Sequence, residues 1–309
     1  MNKATQAPAA VLMVRPYRFD INAETAGDNA FQQQQLDIPQ SDLAACVYDE
    51  VTTAALLLRD QGVEVFLFDD EVGQSPDSVF PNNWFSTHAD GTVILYPMFS
   101  QARRHERRHD IIEALGDRFS VTRVLDYSPH EQNERFLEGT GSVVIDHHHR
   151  VLFAARSLRT DERLVQQLGE DLGCEVEVFD AIDNNGLPIY HTNVMMSIAS
   201  EFALLCKELI PDQLEQQRVL NRLHACNKTV IEITEQQVRH FLGNVLELQT
   251  SKGKGLAMSR TAFNTLTDAQ RDAIKVFADF IVLDVPNIER SGGSVRCMLA
   301  GLHLAHKPG

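Results

Sequence analysis

The sequence has few cysteines, a single tryptophan and no long apolar run. Its five cysteines among 309 residues are scattered, and no two of them form a Cys-x-x-Cys pair. This spacing argues against a zinc ribbon or a disulfide scaffold and suits a reducing compartment. The apolar runs are far shorter than the roughly 20 residues of a membrane span, and the first ten residues lack the apolar core of a secretory signal. We therefore expect a cytoplasmic protein without a membrane partner.

Positive charge is in the minority. The chain carries 28 lysines and arginines against 43 aspartates and glutamates, a formal net charge of −15. Such a surface repels phosphate backbones, so we expect no nucleic-acid partner. The hydrophobic fraction, 43%, suffices for a large core, and no stretch resembles a flexible linker. The sequence predicts one catalytic domain over residues 1–309, with loose ends at about 1–10 and 306–309.

The apolar pattern is repetitive in type. A unit of strand, strand, helix and strand recurs about five times, at a period near 50–60 residues. The pattern predicts a helix over residues 103–115 and strands over 141–145, 190–198 and 294–304. Units that each bury a helix against a small mixed sheet could close into a ring, whose loops would meet at one mouth. A doubly wound α/β sheet is the alternative that periodicity leaves open.

A glycine pair precedes the last cysteine of the chain. Residues 292–297 read Gly-Gly-Ser-Val-Arg-Cys. Glycines let a backbone approach a ligand closely, and a cysteine after such a loop is placed to act as a nucleophile. A cysteine beside apolar residues is more often a buried core residue. The local sequence leaves both interpretations of Cys297 open.

Two histidine-rich segments are candidates for a metal-binding site. Residues 105–109, His-Glu-Arg-Arg-His, match the zincin motif and lie in a predicted helix. The segment is rich in arginine and lacks a third ligand at a recognised distance, so a zinc enzyme is the weaker hypothesis. Consecutive histidines at 147–149 lie at a predicted hairpin turn, where neighbouring side chains point in different directions. The sequence predicts no metal and no cofactor.

Four segments resemble one enzyme superfamily, in the same order along the chain. Residues 292–297 resemble the Gly-Gly-x-x-x-Cys end of arginine deiminases, agmatine deiminases and amidinotransferases. Phe-Leu-Glu-Gly-Thr-Gly-Ser-Val at 136–143 resembles their acidic-Gly-Gly motif, and Tyr-His-Thr-Asn at 190–193 the motif with the catalytic histidine. Asp-Ser-Val-Phe-Pro-Asn-Asn at 77–83 resembles the first substrate loop of dimethylarginine hydrolases. The resemblance to this guanidine-modifying superfamily implies a five-bladed α/β propeller.

The resemblance also implies a chemistry. Cys297 would attack a planar guanidino or ureido carbon and form a covalent intermediate. His191 would protonate the leaving amine and then deprotonate water, while Glu138 would orient His191 and hold a substrate nitrogen. Without the resemblance, a hydrogen-bonded core histidine and a capping carboxylate are the better interpretations of these two residues.

Amides replace several of the carboxylates that the resemblance would supply. Asp77 is the candidate to grip the substrate nitrogens, although a turn aspartate is its alternative interpretation. Asn82 and Asn83 stand where dimethylarginine hydrolases carry an acidic pair, and Asn193 where arginine deiminases carry an aspartate. Amides donate and accept, which suits a neutral ureido group. This favours citrulline hydrolysis to ornithine, ammonia and carbon dioxide. Arginine deimination, dimethylarginine hydrolysis, amidino transfer and a non-catalytic binding protein are the alternatives.

Three arginines are candidates for a substrate carboxylate. Arg103, Arg104 and Arg159 resemble the carboxylate-binding arginines of dimethylarginine hydrolases, and arginine binds carboxylates through two parallel hydrogen bonds. A solvated helix face or local ion pairs would explain them equally well. The expected partner is a small guanidino or ureido amino acid, and association of the chain into a homo-oligomer is left open.

Overall fold

The structure is a computed structural model that describes residues 5–33 and 39–308. The strands are short, three to seven residues each. They are β1 (Ala10–Pro16), β2 (Glu64–Asp70), β3 (Phe85–Thr87), β4 (Thr92–Leu95), β5 (Arg123–Asp126), β6 (Val144–Asp146), β7 (Val151–Ala155), β8 (Glu175–Phe179), β9 (Met196–Ile198), β10 (Phe202–Leu205), β11 (Thr229–Glu232), β12 (Leu246–Thr250), β13 (Gly253–Ser259), β14 (Asp279–Leu283) and β15 (Ala300–Leu302).

Helices connect the strands and cover the sheets. They are α1 (Gln40–Asp60), α2 (His109–Arg118), α3 (Gly139–Ser142), α4 (Glu162–Leu172), α5 (Gln213–Ala225), α6 (Glu235–Arg239), α7 (Arg260–Thr265), α8 (Asp268–Lys275) and α9 (Val295–Met298). Local chemistry fixes their ends. The Asp161 side chain accepts from the backbone N–H groups of Arg163 and Leu164 at the start of α4, and Gly173 ends this helix at a φ of 61°. None of the helices in the described ranges combines the length and apolar character that crossing a bilayer requires.

The strands form five three-stranded sheets in the described part of the chain. In each sheet the central strand pairs antiparallel with one neighbour and parallel with the other, as in β3-β4-β5 and β6-β7-β8. A parallel pair requires a crossover, and a helix supplies it, for example α4 between β7 and β8. The fold is therefore mixed α/β with five similar small sheets, and the predicted strand–strand–helix–strand unit is confirmed.

One sheet is built from both ends of the chain. The register places Val11 of β1 opposite Gly301 of the antiparallel strand β15 and beside Val65 of the parallel strand β2. Helix α1 buries Leu43, Val47 and neighbouring apolar residues in the same core as β1. The last strand of the chain thus begins the unit that β1, α1 and β2 complete.

The predicted loose N-terminus is partly wrong. The Gln6 side chain donates hydrogen bonds to the carbonyl oxygens of Ile145, at 2.9 Å, and Ile198, at 3.0 Å. Ala7 is buried, and Ala10 already belongs to β1, so residues 5–10 are held because they join three sheets. Residues 1–4 of this prediction lie outside the described residues. At the other end, His306 forms a β-bridge with Phe119 but is exposed.

The helix predicted over 103–115 is broken. A 3-10 turn, Ala102–Glu106, comes first, Arg107 is extended with ψ 95°, and α2 starts at His109. Within the 3-10 turn Arg103 and Glu106 form an ion pair, and both side chains are buried. His105 and His109 therefore do not share a helix face, and the zincin interpretation fails.

Three predicted strands begin instead with a helical turn. Residues 141–145 divide between α3 and β6, residues 190–198 contain the 3-10 turn Thr192–Val194 before β9, and residues 294–304 contain α9 before β15. The turns have only three or four residues and run directly into apolar strands, so the sequence pattern does not separate them from those strands. Each turn lies directly before the first strand of its sheet, and these turns carry the predicted site residues.

Candidate active site

Each of the five units has a polar side chain two to six residues before the antiparallel strand of its sheet. In the order of the strands β3, β6, β9, β12 and β15 they are Asn83, Glu138, His191, Asn244 and Cys297. Similar units place these residues at similar positions, so side chains far apart in sequence meet. Asn83, Glu138, His191 and Cys297 were predicted from the motifs, and Asn244 was not.

Cys297 is buried in the short helix α9 and contacts two amides. The Asn244 Nδ2 donates to its Sγ at 3.3 Å, and the Asn193 Nδ2 approaches it at 3.6 Å. Asn244 also donates to the Asn193 backbone carbonyl at 3.2 Å and accepts from the Arg296 N–H at 3.1 Å. Donors directed at sulfur favour the thiolate form. Asn244 gave no motif signal, although Gly243-Asn244 before β12 mirrors the turns of the other units.

His191 is held by Glu138. The His191 Nε2 lies 2.8 Å from the Glu138 Oε2, and the Phe99 backbone N–H donates to the other carboxylate oxygen at 2.9 Å. Burial by itself would raise the pKa of Glu138, but Arg159, the His191 hydrogen bond and Arg103 lower it to about 2. Glu138 is thus an anion at neutral pH and fixes the orientation of the imidazole.

The imidazole of His191 packs tightly. Burial lowers the pKa of His191, and Glu138 only partly opposes this effect, so the ring is neutral at pH 7. Gly141 lies against the ring: an added Cβ would come within 2.8 Å of the His191 Nδ1 and 2.4 Å of the Asn83 Nδ2. The glycine of the acidic-Gly-Gly segment is therefore required for this close approach.

One small cavity joins these groups. His191, Cys297 and Asp77 line a narrow space of about 20 Å³ together with Thr25, Asn29, Phe80, Asn83, Arg103, Arg159, Tyr190, Ser291 and Gly293. The structure therefore brings Asp77, Asn83, Arg103, Arg159, His191 and Cys297 of the predicted site to one space.

Two of the predicted arginines lie at the cavity and one does not. The Arg103 guanidinium binds both oxygens of Glu106, at 2.9 and 2.8 Å, and that of Arg159 binds both oxygens of Asp28, at 2.7 Å each. Arg104 points away, to the Met98 carbonyl and Glu131. Consecutive residues of a 3-10 turn project about 120° apart, so Arg103 and Arg104 cannot face the same cavity.

The acidic and amide side chains of the site differ in how many of their polar atoms have hydrogen-bond partners. Asp77 accepts from the Asn22 Nδ2 at 2.9 Å and lies 3.8 Å from the Arg103 Nε, while burial raises its pKa. The Asn83 Oδ1 accepts from Arg103 at 3.0 Å, but its buried Nδ2 has no partner. Asn82 is buried and does not line the cavity; its Nδ2 donates to the Thr140 hydroxyl, and its Oδ1 is unpartnered. Unsatisfied buried polar atoms are costly unless a ligand meets them.

Several contributors were not predicted as site residues, although Tyr190 belongs to the motif of His191. Tyr190 donates from its hydroxyl to the Gly292 carbonyl at 2.5 Å, and its ring lies under the Arg159 guanidinium at 4.8 Å. Asn22 and Asp28 come from the segment after β1, which the repeat pattern treats as a connection. Only their spatial proximity marks them as part of the site.

Metal ligands do not gather at this cavity. Within the described residues, one group of three potential ligands lies close together, Asp146, His149 and Cys226, and none of them lines the cavity. Lys228 lies 3.2 Å from the Asp146 carboxylate, which disfavours a cation there. The absence of a metal or cofactor stays a prediction.

Solved structures with this fold include enzymes that act on arginine. The N-terminal domain of ArgZ, an arginine dihydrolase of the ornithine–ammonia cycle in Cyanobacteria, solved with its substrate, superposes with a TM-score of 0.73 at 15% identity, covering 94% of this chain and 96% of that chain. Unliganded AgrE gives 0.75 at 18% identity, with 97% of this chain but 40% of AgrE covered, so this chain spans about two-fifths of that protein. The DDAH of Pseudomonas aeruginosa with citrulline gives 0.63 at 15% identity, covering 97% and 100%.

A search of the curated proteins found no match to this sequence. A family model described as N,N dimethylarginine dimethylhydrolase, eukaryotic, matches residues 15–304, which is most of the chain. The match includes every residue that lines the cavity. The chain therefore belongs to the guanidine-modifying superfamily of amidinotransferases and dimethylarginine dimethylhydrolases, and it is a hydrolase of carbon–nitrogen bonds other than peptide bonds.

Proposed function

We propose that this chain hydrolyses citrulline to ornithine, ammonia and carbon dioxide through a covalent intermediate on Cys297. The observation that carries the proposal is the shared cavity, which Cys297, His191 and Asp77 line together. A nucleophile, an acid–base group and a binding carboxylate are the parts that hydrolysis of a ureido group requires.

The proposed architecture is a five-bladed α/β propeller in a single domain over residues 1–309. Contacts between first strands support it: β9 touches β6 and β12, and β15 touches β3. Strands that meet in this way are the inner strands of a ring, and the turns before them open at one mouth. A cytoplasmic location is proposed with it, since all five cysteines are free.

In the first step the Cys297 sulfur attacks the ureido carbon. The amides of Asn193 and Asn244 stabilise the thiolate, and His191, neutral at pH 7, accepts the thiol proton. His191 then gives this proton to the departing amine as the carbon–nitrogen bond breaks, which leaves a thiocarbamate on the sulfur.

In the second step a water replaces the sulfur. His191 takes a proton from the water, the carbon–sulfur bond breaks, and the thiol recovers its proton. The released carbamate decomposes to carbon dioxide and an amine. One citrulline and one water thus give ornithine, ammonia and carbon dioxide.

The ureido oxygen has a matching donor. The Asn83 Nδ2 is a buried donor without a partner, and Asn83 lines the cavity. A ureido oxygen accepts hydrogen bonds, whereas every guanidinium nitrogen donates or is saturated. Asp77 would accept from the ureido N–H groups, and Arg159 would meet the substrate carboxylate in place of Asp28.

Arginine is the second candidate substrate. Two buried carboxylates, Asp77 and Glu138, belong to the site, and paired carboxylates suit a guanidinium cation. ArgZ with its substrate and AgrE with L-arginine share the fold. Arginine would need two hydrolyses on the same site, with citrulline formed after the first. Dimethylarginine hydrolysis and amidino transfer are the remaining alternatives.

The test is incubation with citrulline, arginine and dimethylarginine in separate reactions, with ornithine, citrulline and ammonia quantified. We expect ornithine from citrulline, and loss of at least 10³-fold in rate for Cys297→Ser, since serine is a far weaker nucleophile at its free pKa. Cys46→Ser, at an exposed thiol, is the matched control and keeps full activity. Intact-mass analysis should show the adduct on the wild type only. Activity retained by Cys297→Ser contradicts the mechanism, and arginine turnover without citrulline turnover contradicts the substrate.

A further inference from the structure

A second cavity lies behind the thiol. It is bounded by the inner strands and has a volume of about 40 Å³. Arg296 lines this second cavity, whereas the next residue, Cys297, lines the active-site cavity described above. Asn193 also faces the second cavity while its amide approaches the Cys297 sulfur at 3.6 Å. The two spaces are therefore separated by the same side chains that hold the nucleophile.

The cation of Arg296 has no counter-ion. Its Nη1 donates to the Leu299 carbonyl at 2.9 Å, and no carboxylate in residues 5–33 and 39–308 forms an ion pair with it. Neither aspartate nor glutamate is among the residues that line the second cavity. Burial lowers the pKa of Arg296 to about 10, yet the side chain is still charged at pH 7. A buried charge without a partner is strongly destabilising, and an anion would relieve it.

Histidines stand beside this cation. The rings of His147 and His303, which both line the cavity, stack with centroids 3.8 Å apart, and His88 lies 6.2 Å from His147. They directly follow the inner strands β6, β15 and β3, so the units again supply equivalent positions. Burial lowers the pKa of His303 to about 3, and its buried Nδ1 has no partner. A neutral imidazole offers one N–H donor to a ligand.

We propose that the second cavity is a binding site for a small monovalent anion, a halide or a planar oxoanion such as nitrate or bicarbonate, held by Arg296 with His147 and His303. An arginine fork matches a planar oxoanion and also binds halides. Gln6 limits the size of the ligand, because its side chain bridges the Ile145 and Ile198 carbonyls at the edge of the cavity. The site does not depend on which amino acid the enzyme hydrolyses.

Occupancy would act on the nucleophile. Arg296 is adjacent to Cys297 in the sequence, and Asn193 lines this cavity while its amide approaches the Cys297 sulfur at 3.6 Å. An anion bound at the guanidinium brings a negative charge toward the nucleophile. Saturation of the site therefore slows alkylation of Cys297 at pH 7, and the same anion raises the melting temperature of the protein.

The experiment is a melting titration with sodium bromide, sodium nitrate and sodium bicarbonate, at ionic strength held constant with sodium isethionate, which is too large to enter. We expect a saturable rise in the wild type that Arg296→Gln loses. Arg260→Gln is the matched control and keeps the rise, since this exposed arginine pairs with Asp284 at 3.1 Å. Crystals soaked in bromide should show an anomalous peak within hydrogen-bond distance of Arg296. A response to bromide alone identifies a halide site, and a response to nitrate or bicarbonate a planar oxoanion site.

A second variant guards against misfolding of Arg296→Gln. His303→Leu keeps the guanidinium but removes an N–H donor, and we expect its half-saturating anion concentration to rise about tenfold, the loss expected of one hydrogen bond to a charged group. No bromide peak at Arg296, or titrations that neither variant changes, would overturn the proposal.

Discussion

The Cys297 thiol is approached by two amides and shares its cavity with a neutral imidazole. The two arginines that line this cavity are engaged by carboxylates, Arg103 by Glu106 and Arg159 by Asp28. The direct polar contacts of the sulfur are therefore the hydrogen bonds from Asn193 and Asn244. At the scale of single residues, the reactivity of the nucleophile depends on the direction of these two hydrogen bonds.

Exchange of one amide for a carboxylate tests this dependence. Asn244→Asp keeps an acceptor for the Arg296 N–H but replaces the donor to sulfur with a negative charge. Because a negative charge takes the place of a donated hydrogen bond at the sulfur, alkylation by iodoacetamide at pH 7 should slow about tenfold. Asn221→Asp, on the exposed face of α5, is the control and should alkylate like the wild type. Equal rates for Asn244→Asp and the wild type would show that the amide does not act on the sulfur.

The carboxylate of Glu138 links stability to pH. Its pKa falls from an ordinary 4.5 to about 2, because the stabilising effect of Arg159, His191 and Arg103 exceeds the cost of burial. A lowered pKa contributes stability that is present above pH 4.5 and lost as the pH falls toward 2, on the order of 3 kcal/mol in full. Glu138→Gln should remove this dependence.

Urea unfolding at pH 7 and pH 3.5 measures the pH dependence of stability that Glu138 contributes. Between these two values the wild type should lose about 1 kcal/mol more free energy of unfolding than Glu138→Gln does. Glu113→Gln, at an exposed position of α2, should behave like the wild type. Identical pH dependence in all three proteins would mean that Glu138 is not held as an anion by its neighbours.

At the scale of elements, the short turns before the inner strands determine the site. Glu138 precedes α3, His191 precedes a 3-10 turn, and Cys297 lies within α9. Four-residue helices such as α3 and α9 are too short to be stable alone, so tertiary packing holds them. Glycines permit this packing where two turns touch.

Gly141 tests the contact between turns. An alanine there would bring its Cβ within 2.8 Å of the His191 ring. We expect a loss of about 1–3 kcal/mol of stability from overpacking, and a roughly 100-fold fall in kcat because the imidazole is displaced. Gly116→Ala is the control: nothing lies within 4 Å of its added Cβ in α2, and it should gain about 0.5–1 kcal/mol with unchanged activity. Wild-type kcat in Gly141→Ala would contradict the positioning of His191 by this turn.

At the scale of the whole molecule, pairing of the two chain ends completes the fifth sheet. The terminal strand β15 pairs with β1 and buries Ala300 and Leu302 in one core cluster with Leu12 and Val14. Loss of a buried leucine costs about 2–5 kcal/mol, against about 5–15 kcal/mol for a whole domain. Stability of the sheet formed by β15, β1 and β2 therefore depends on the last strand of the chain.

Truncation tests this closure. Deletion of residues 300–309 should abolish cooperative thermal unfolding followed by circular dichroism, because β1 loses its antiparallel neighbour. Deletion of residues 307–309 removes the hydrogen bond from the Lys307 N–H to the Arg118 carbonyl and should cost about 1 kcal/mol or less. A cooperative transition with an unchanged midpoint in the longer deletion would show that the other four sheets are stable without the fifth.

The sequence by itself determined the repeated unit, since alternating strand and helix patterns are local properties that burial imposes. It also marked Glu138, His191 and Cys297, because motif residues keep their spacing to the strands that follow them. Tertiary structure alone decided that Asn244 contacts the thiol, that Asp28 pairs with Arg159, and that Arg104 faces away. Such contacts join residues from different units. They form only when whole sheets pack together, and a local sequence pattern does not encode this packing.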